Sequence, residues 1–203
     1  MITIIDYEMG NLGSVAKAFQ FLGVECEVTQ DPKRVVQADK IVFPGVGAFE
    51  DCIANLKKKG LDQAILQAIN SEKPFLGICL GLQALFEKSE EGGAHPGLGI
   101  LKGPVVKFHV NLKVPHMGWN QIIFSSGKTK NCPLLKGVSE GSYVYFIHSY
   151  YGVPEDKTVI VAQTDYEVRF ASMVWKDHLF ATQFHPEKSQ KVGLRMLKNF
   201  AEL

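Results

Sequence analysis

The chain has 203 residues, 46% of them hydrophobic, and a formal net charge of +1. That is enough apolar material for one sizeable core, so a single domain over residues 1–203 is expected. The near-neutral balance, with Lys57-Lys58-Lys59 as its basic run, argues against a nucleic-acid partner, and no apolar stretch reaches membrane-spanning length.

In chain order, the first half alternates strand-like and helix-like runs. Strands are predicted at residues 2–5, 25–29, 40–43 and 75–78. Helices are predicted at 14–22, 48–58, 61–70 and 80–88, with Ser14 as the first N-cap and Gly23 closing that helix. Such alternation implies an α/β fold: a mostly parallel twisted sheet with helices on both faces. Residues 90–97 carry Gly92-Gly93 and read as a flexible connection. From 105 to 182 the chain is richer in β-branched and aromatic residues. Turn signals stand at Ser125-Ser126-Gly127 and at Val153-Pro154-Glu155-Asp156. Additional antiparallel strands are expected there, then a last helix over 189–200.

Three strand ends carry chemistry. In Phe75-Leu76-Gly77-Ile78-Cys79-Leu80-Gly81-Leu82-Gln83, an apolar strand runs into a cysteine flanked by glycine at two residues on either side. This is the thiol form of the nucleophile elbow, a sharp strand-to-helix turn that lifts the side chain into a cleft. The sulfur then sits at a helix N-terminus, where the dipole favours a thiolate. A small buried cysteine ending a core strand is the plainer alternative.

Near the other end, the apolar run 179–184 leads into His185-Pro186-Glu187. Pro186 favours extended backbone at His185, and residues two apart in extended chain share a side, so Glu187 can orient the imidazole as the acid of a Cys-His-Glu triad. Alone, the tripeptide is as well explained by a surface turn. Ile41-Val42-Phe43-Pro44-Gly45-Val46-Gly47 supplies the third strand end. Its glycines let backbone N–H groups approach a ligand. Val46 or Gly47, together with Leu80, are candidate donors for the oxyanion of acyl transfer, with Gly45 beside the substrate. The loop lacks the third glycine of the dinucleotide fingerprint, and no Gly-Lys-Ser/Thr occurs in the chain.

Cys26, Cys52, Cys79 and Cys132 are widely spaced, so no zinc motif of paired cysteines is formed; no metal or other cofactor is expected. A reactive thiol without a disulfide framework suits a reducing cytoplasm, and the apolar start, broken by Asp6, is too short for a signal segment.

The Pro-Gly-Val-Gly loop, the Gly-Ile-Cys-Leu-Gly-Leu-Gln elbow and the Phe-His-Pro-Glu close together resemble the class I, triad-type glutamine amidotransferases. The match covers most of the chain, in the right order. Ile5-Asp6-Tyr7-Glu8-Met9-Gly10-Asn11, Pro115-His116-Met117-Gly118-Trp119-Asn120 and Tyr145-Phe146-Ile147-His148-Ser149-Tyr150 narrow it. Within that family they resemble the glutaminase subunits of imidazole glycerol phosphate synthases, from histidine biosynthesis. The resemblance implies hydrolysis of glutamine through a thioester on Cys79, with Gln83, Glu91, Ser149 and Tyr150 holding the substrate. It also implies transfer of ammonia to a separate (βα)₈-barrel cyclase, which makes imidazole glycerol phosphate and an aminoimidazole carboxamide ribotide. Asn11, Met117, Trp119, Tyr145 and Lys188 are then interface candidates, and the chain's end at Leu203 is expected to leave the second activity to that partner. Taken without the resemblance, Gln83 is a solvent-facing helix residue, Glu91 a solvated loop charge, Tyr150 a half-buried aromatic, Trp119 a core residue and Lys188 a solvated charge. A free-standing cysteine hydrolase or deglycase, a non-catalytic scaffold and the glutaminase of another synthase are the rival readings.

Overall fold

A computed structural model describes residues 1–125 and 128–203. The first half contains β1 (Ile2–Ile5), α1 (Leu12–Phe21), β2 (Cys26–Thr29), α2 (Pro32–Gln37), β3 (Lys40–Gly45), α3 (Phe49–Lys59), α4 (Leu61–Asn70), β4 (Phe75–Cys79) and α5 (Leu80–Ala84). There follow β5 (Phe86–Ser89), β6 (His95–Pro96), β7 (Leu101–Lys107), β8 (His116–Gln121), β9 (Ile123–Phe124), β10 (Tyr143–His148) and β11 (Tyr150–Gly152). β12 (Ile160–Tyr166), β13 (Val168–Lys176), β14 (Leu179–Thr182) and α6 (Gln190–Ala201) complete the order.

The main sheet runs β2-β1-β3-β4-β14-β13-β12-β9. Strands β2, β1, β3, β4 and β14 are parallel, and β13, β12 and β9 extend the sheet antiparallel. This is the expected fold class. Alternation along the parallel strands splits the core between two faces. Ile41, Phe43, Phe75, Leu179 and Ala181 pack with Ile53, Leu56 and Ile65 of α3 and α4. Val42, Leu76, Ile78 and Phe180 turn the other way, towards Val15 and Phe19 of α1 and Met196 and Phe200 of α6. With both faces covered, the central strands are buried at every position rather than at alternate ones, and mostly apolar, with Thr3 and Thr182 the polar exceptions.

Several predicted elements are corrected. Helix α1 begins at Leu12, so Ser14 lies inside it; Asn11 occupies the cap position without a side-chain cap bond. Leu12 packs against the core, and that burial draws the helix start forward. The helix predicted over 80–88 stops at Ala84 because Phe86–Ser89 pairs in parallel with β7. Tertiary pairing there overrides helix propensity. The connection over 90–97 is not merely flexible: His95–Pro96 pairs back on Lys88 and Ser89. Helix α2 was not predicted, although its signals are present. The Asp31 carboxylate accepts the Lys33 N–H at 2.9 Å, and Pro32 occupies the first turn. Of the turn at Ser125-Ser126-Gly127, Ser126 and Gly127 lie outside the described residues.

Among the described residues there are two smaller sheets, β11-β7-β5-β6 and β10-β8. The latter is fastened to the loop after β14 by backbone: the His185 N–H donates to the Tyr145 carbonyl at 2.9 Å, and the Tyr145 N–H to Ser189 Oγ at 3.0 Å.

Candidate active site

Strands β3, β4 and β14 are neighbours and parallel, so their C-terminal ends open side by side, the position where an open α/β sheet keeps its ligand site. Cys79 ends β4 opposite Gly45 in register, at φ 56° and ψ −107°. A side chain at positive φ is strained, and such strain is characteristic of a nucleophile elbow. Gly81 makes the turn possible: a Cβ there would run into the Phe43 carbonyl oxygen, so only glycine lets α5 start this close to β3.

His185 follows β14 in extended backbone, and residues Pro186–Lys188 then form a 3₁₀ turn. The turn, rather than continued extended chain, carries the Glu187 carboxylate round to the imidazole, where Oε1 lies 2.7 Å from Nδ1. Both side chains are buried. Burial by itself would lower the His185 pKa. The Cys79 sulfur and the Glu187 carboxylate outweigh it, and the value rises to about 10. No well-formed hydrogen bond closes at His185 Nε2, yet the Cys79 side chain is near enough to raise the ring's pKa both by charge and as a hydrogen-bonding neighbour. The Cys79 thiol points instead to the Ile147 carbonyl at 3.9 Å, and the Gln183 side-chain amide donates to Sγ at 3.6 Å.

Cys79 opens into a cleft of about 300 Å³. Val46, Gly47 and Leu80, the candidate oxyanion donors, lie on its wall, as do Gln83, Glu91, Ser149 and Tyr150, and Lys188 as well. Gly47 has φ 105°, a conformation that favours glycine, and a Cβ there would run into the Met9 side chain. Gly45 is not on the wall: it is buried at the end of β3, where a Cβ would collide with the Tyr7 hydroxyl. His185 and Glu187 stand behind the sulfur rather than on the lining.

Gln83 is buried, and its amide donates to the Tyr150 carbonyl at 2.8 Å and to Gln183 Oε1 at 3.1 Å. Its nitrogen is therefore committed to the protein. Glu91 accepts the Phe49 N–H at 3.0 Å, which caps α3. Pro115, Ile147, His148 and Gln183 are at the site and were not singled out from sequence. Gln183 had a visible signal, since it directly precedes Phe184-His185 in a buried strand end.

Of the interface candidates, Met117 and Trp119 are 57% and 46% exposed, and Tyr145 packs edge-on against Trp119 with ring centroids 6.0 Å apart. The Lys188 ammonium lies 6.0 Å over the Tyr145 ring. Asn11 stands at the start of α1, next to Gly10, which packs on Pro44 and Gly45. The Trp119 side chain is thus not a core residue.

A family model, glutamine amidotransferase class-I, matches residues 3–203. The chain belongs to the class-I glutamine amidotransferases. The amidotransferase is 54% identical to imidazole glycerol phosphate synthase subunit HisH of Syntrophotalea carbinolica, with both chains fully covered. It is 52% identical to the protein of the same name from Aquifex aeolicus, over 97% of this chain and 94% of that one. Matches of this extent put the amidotransferase in the HisH subunit family. In fold it is similar to the structure of PurLQS from Thermotoga maritima, with a TM-score of 0.78 at 17% identity over 99% and 97% of the two chains. No helix among the described residues is long and apolar enough to cross a membrane.

Proposed function

We propose that this amidotransferase hydrolyses glutamine at Cys79 and hands the ammonia to a partner subunit. The observation that carries the reading is a cysteine at a strained strand-to-helix turn, beside a buried imidazole held by a carboxylate at 2.7 Å, on adjacent parallel strands. The sulfur, as thiolate, attacks the side-chain amide carbon of glutamine. The oxyanion is held by N–H groups of Leu80 and of Val46 or Gly47. His185 delivers the proton to the departing nitrogen, ammonia leaves, and a thioester to Cys79 remains. Water then attacks with His185 as base, releasing glutamate and restoring the thiol. Glu187 keeps the His185 ring oriented and stabilises its charged form.

The resting geometry supports low activity in isolation. The thiol is directed to the Ile147 carbonyl, and no well-formed hydrogen bond closes at His185 Nε2. A partner that shifts this population raises turnover. The relatives are subunits of a synthase, and this supports a partner that is a (βα)₈-barrel cyclase acting on a phosphorylated ribulosyl carboxamide. Its docking face is the outer side of β8 and β10. Met117 pairs with Ile147 and Trp119 with Tyr145 across the strands, with Tyr143 at the end. Tyr143 and Ile147 are 55% and 37% exposed, which extends the apolar patch beyond Met117, Trp119 and Tyr145, the three of its residues read from sequence. A reactive thiol and four free cysteines fit a cytoplasmic protein.

The test is glutamate release from glutamine by the purified chain, alone and with the cyclase carrying its substrate. A large rise on adding the cyclase, abolished by Cys79→Ala, is expected. Full activity without partner, or activity retained in Cys79→Ala, contradicts the reading.

A further inference from the structure

Beside the cleft, a line of polar side chains, in which His116 and His148 are buried among aromatic rings, takes no part in the triad. It begins at Asn120 on β8. The Asn120 amide oxygen accepts the Gln121 N–H at 2.8 Å, and its nitrogen donates to the Asp165 carbonyl at 3.0 Å. Two backbone partners therefore fix which way the amide faces. The same nitrogen is 3.2 Å from His116 Nε2, which must accept. The proton of His116 is then on Nδ1, 3.0 Å from His148 Nε2. His148 in turn must accept at Nε2 and carry its proton on Nδ1, which is 2.9 Å from the Tyr150 carbonyl. A carbonyl can only accept, so both ends of the line dictate the same direction.

We propose that His116 sets the tautomer of His148, so that His148 and Gln83 together clamp the Tyr150 carbonyl and fix the Ser149–Tyr150 wall of the glutamine cleft. Both residues are positioning residues, and this role rests on the glutaminase reading above. The Tyr150 carbonyl receives His148 on one lone pair and the Gln83 amide, at 2.8 Å, on the other. With both lone pairs engaged the peptide cannot turn. Gln83 continues through Gln183 to the Cys79 sulfur, so the clamp also sits one residue from the nucleophile's own support.

The surroundings favour uncharged rings. His116 is stacked on Phe146 and Tyr166, with centroids 4.7 and 4.0 Å away, and Phe108 and Phe170 close the remaining sides. Burial holds the pKa of His116 down to about 4 and that of His148 to about 3. The titratable neighbours felt by His148 are His116 and His185; both press its pKa down, and the bond to the Tyr150 carbonyl pushes it up by less than burial lowers it. A second proton on His116 would set two donors against each other at Asn120. Loss of the His116 donor would free His148 to move its proton to Nε2, leaving a nitrogen lone pair facing the Tyr150 oxygen.

Two measurements test this. Nitrogen NMR of histidine-labelled protein should find His148 as the Nδ1–H tautomer, without titration between pH 6 and pH 9. An Nε2–H tautomer, or a titration in that range, overturns the proposal. With the cyclase present, His116→Phe keeps the ring but removes the donor. It should raise the KM for glutamine about tenfold with kcat changed less than about threefold. His116→Asn keeps a donor near the Nδ1 position and gives up the stacking, so it should melt lower yet rescue KM to within about threefold of the parent. If KM follows the melting temperature instead of the donor, His116 is only a packing residue. Absence of glutaminase activity in the parent protein would instead sink the functional reading, while the tautomer would still report on the clamp.

Discussion

Beneath the cleft, Cys79, His185 and Glu187 are carried by adjacent parallel strands whose residues are buried on both faces; at its edge, β8 and β10 form a two-stranded sheet with Met117, Trp119, Tyr143 and Ile147 turned outward. The floor is complete within the chain, because its strain at Cys79 is held by the sheet and by Gly81 against β3. The edge exposes large apolar side chains that the fold does not need there. On the proposed reading, chemistry and regulation are thus built from different materials: a rigid parallel sheet supplies the nucleophile, and a less covered two-stranded sheet waits for a surface to complete it. Substitutions in the floor should abolish glutamine hydrolysis whatever the partner does. Substitutions at the edge should alter only what the partner contributes.

The sharpest way to break that division is at the sulfur. Cys79→Ala or Cys79→Ser should lower glutamine hydrolysis by on the order of 10⁴-fold or more, since nucleophile and base act as a unit. Folding and partner binding should survive, and the complex should still run on added ammonia. Normal glutamine-dependent turnover in the alanine variant would remove Cys79 from the reaction.

His185 and Glu187 come next. His185→Ala should be nearly as damaging as loss of the sulfur. Glu187→Gln should cost on the order of 10²–10³-fold, because only orientation and charge stabilisation are affected. A glutamine variant worse than the alanine one would reverse the roles. The same site makes a titration prediction. Burial lowers the His185 pKa while the Cys79 sulfur and Glu187 raise it to about 10, so the ring should keep its proton through neutral pH. In Cys79→Ala the upward push of the sulfur disappears and the pKa must fall. Proton NMR of the His185 ring in the two proteins measures the difference, and an unchanged value would mean that the sulfur does not act on the ring.

The floor was legible in the sequence because each of its parts is a local pattern. An apolar run ending in Gly-x-Cys-x-Gly and another ending in His-Pro-Glu announce strand ends, and a parallel sheet puts strand ends together. Even so, the turn that brings Glu187 to His185 is 3₁₀ rather than extended, so the contact expected is reached by a different backbone path. The short α5 was overextended because Phe86-Glu87-Lys88 suits a helix, and only pairing with a strand fifteen residues away makes it β. The histidine line and the Gln83–Gln183 link were invisible for the same reason: their members come from β8, β10, α5 and the end of β14, and no local spacing relates them. The outward face of β8 was legible only in part, since Tyr143 and Ile147 join it through antiparallel register.

The edge predicts smaller, conditional effects. Trp119→Ala should leave the amidotransferase's own stability nearly unchanged and its basal hydrolysis unaltered. Affinity for the cyclase should fall by about 10- to 100-fold, as expected when an exposed tryptophan becomes the buried centre of an interface. Calorimetric titration of one subunit with the other gives the number. Unaltered affinity would move the docking face away from β8 and β10.

Lys188 joins the two regions and should show the mildest effect. It follows Glu187 directly, lies on the cleft wall, and holds its ammonium 6.0 Å over the Tyr145 ring of the two-stranded sheet. An aromatic face stabilises that charge only weakly while water is present. When a docked partner excludes water, the charge needs an anionic neighbour, and a carboxylate on the cyclase face supplies it at least cost. Lys188→Ala should therefore leave hydrolysis by the triad intact and loosen the seal over the cleft, so that ammonia escapes before it is used. With glutamine as sole nitrogen source, glutamate should exceed the imidazole product by about two- to fivefold, against a ratio near one in the parent complex. Adding ammonia should restore product without changing glutamate release. A ratio that stays near one, with unchanged affinity for the cyclase, would place Lys188 outside the interface and confine the coupling between floor and edge to the backbone bonds that join His185 and Tyr145.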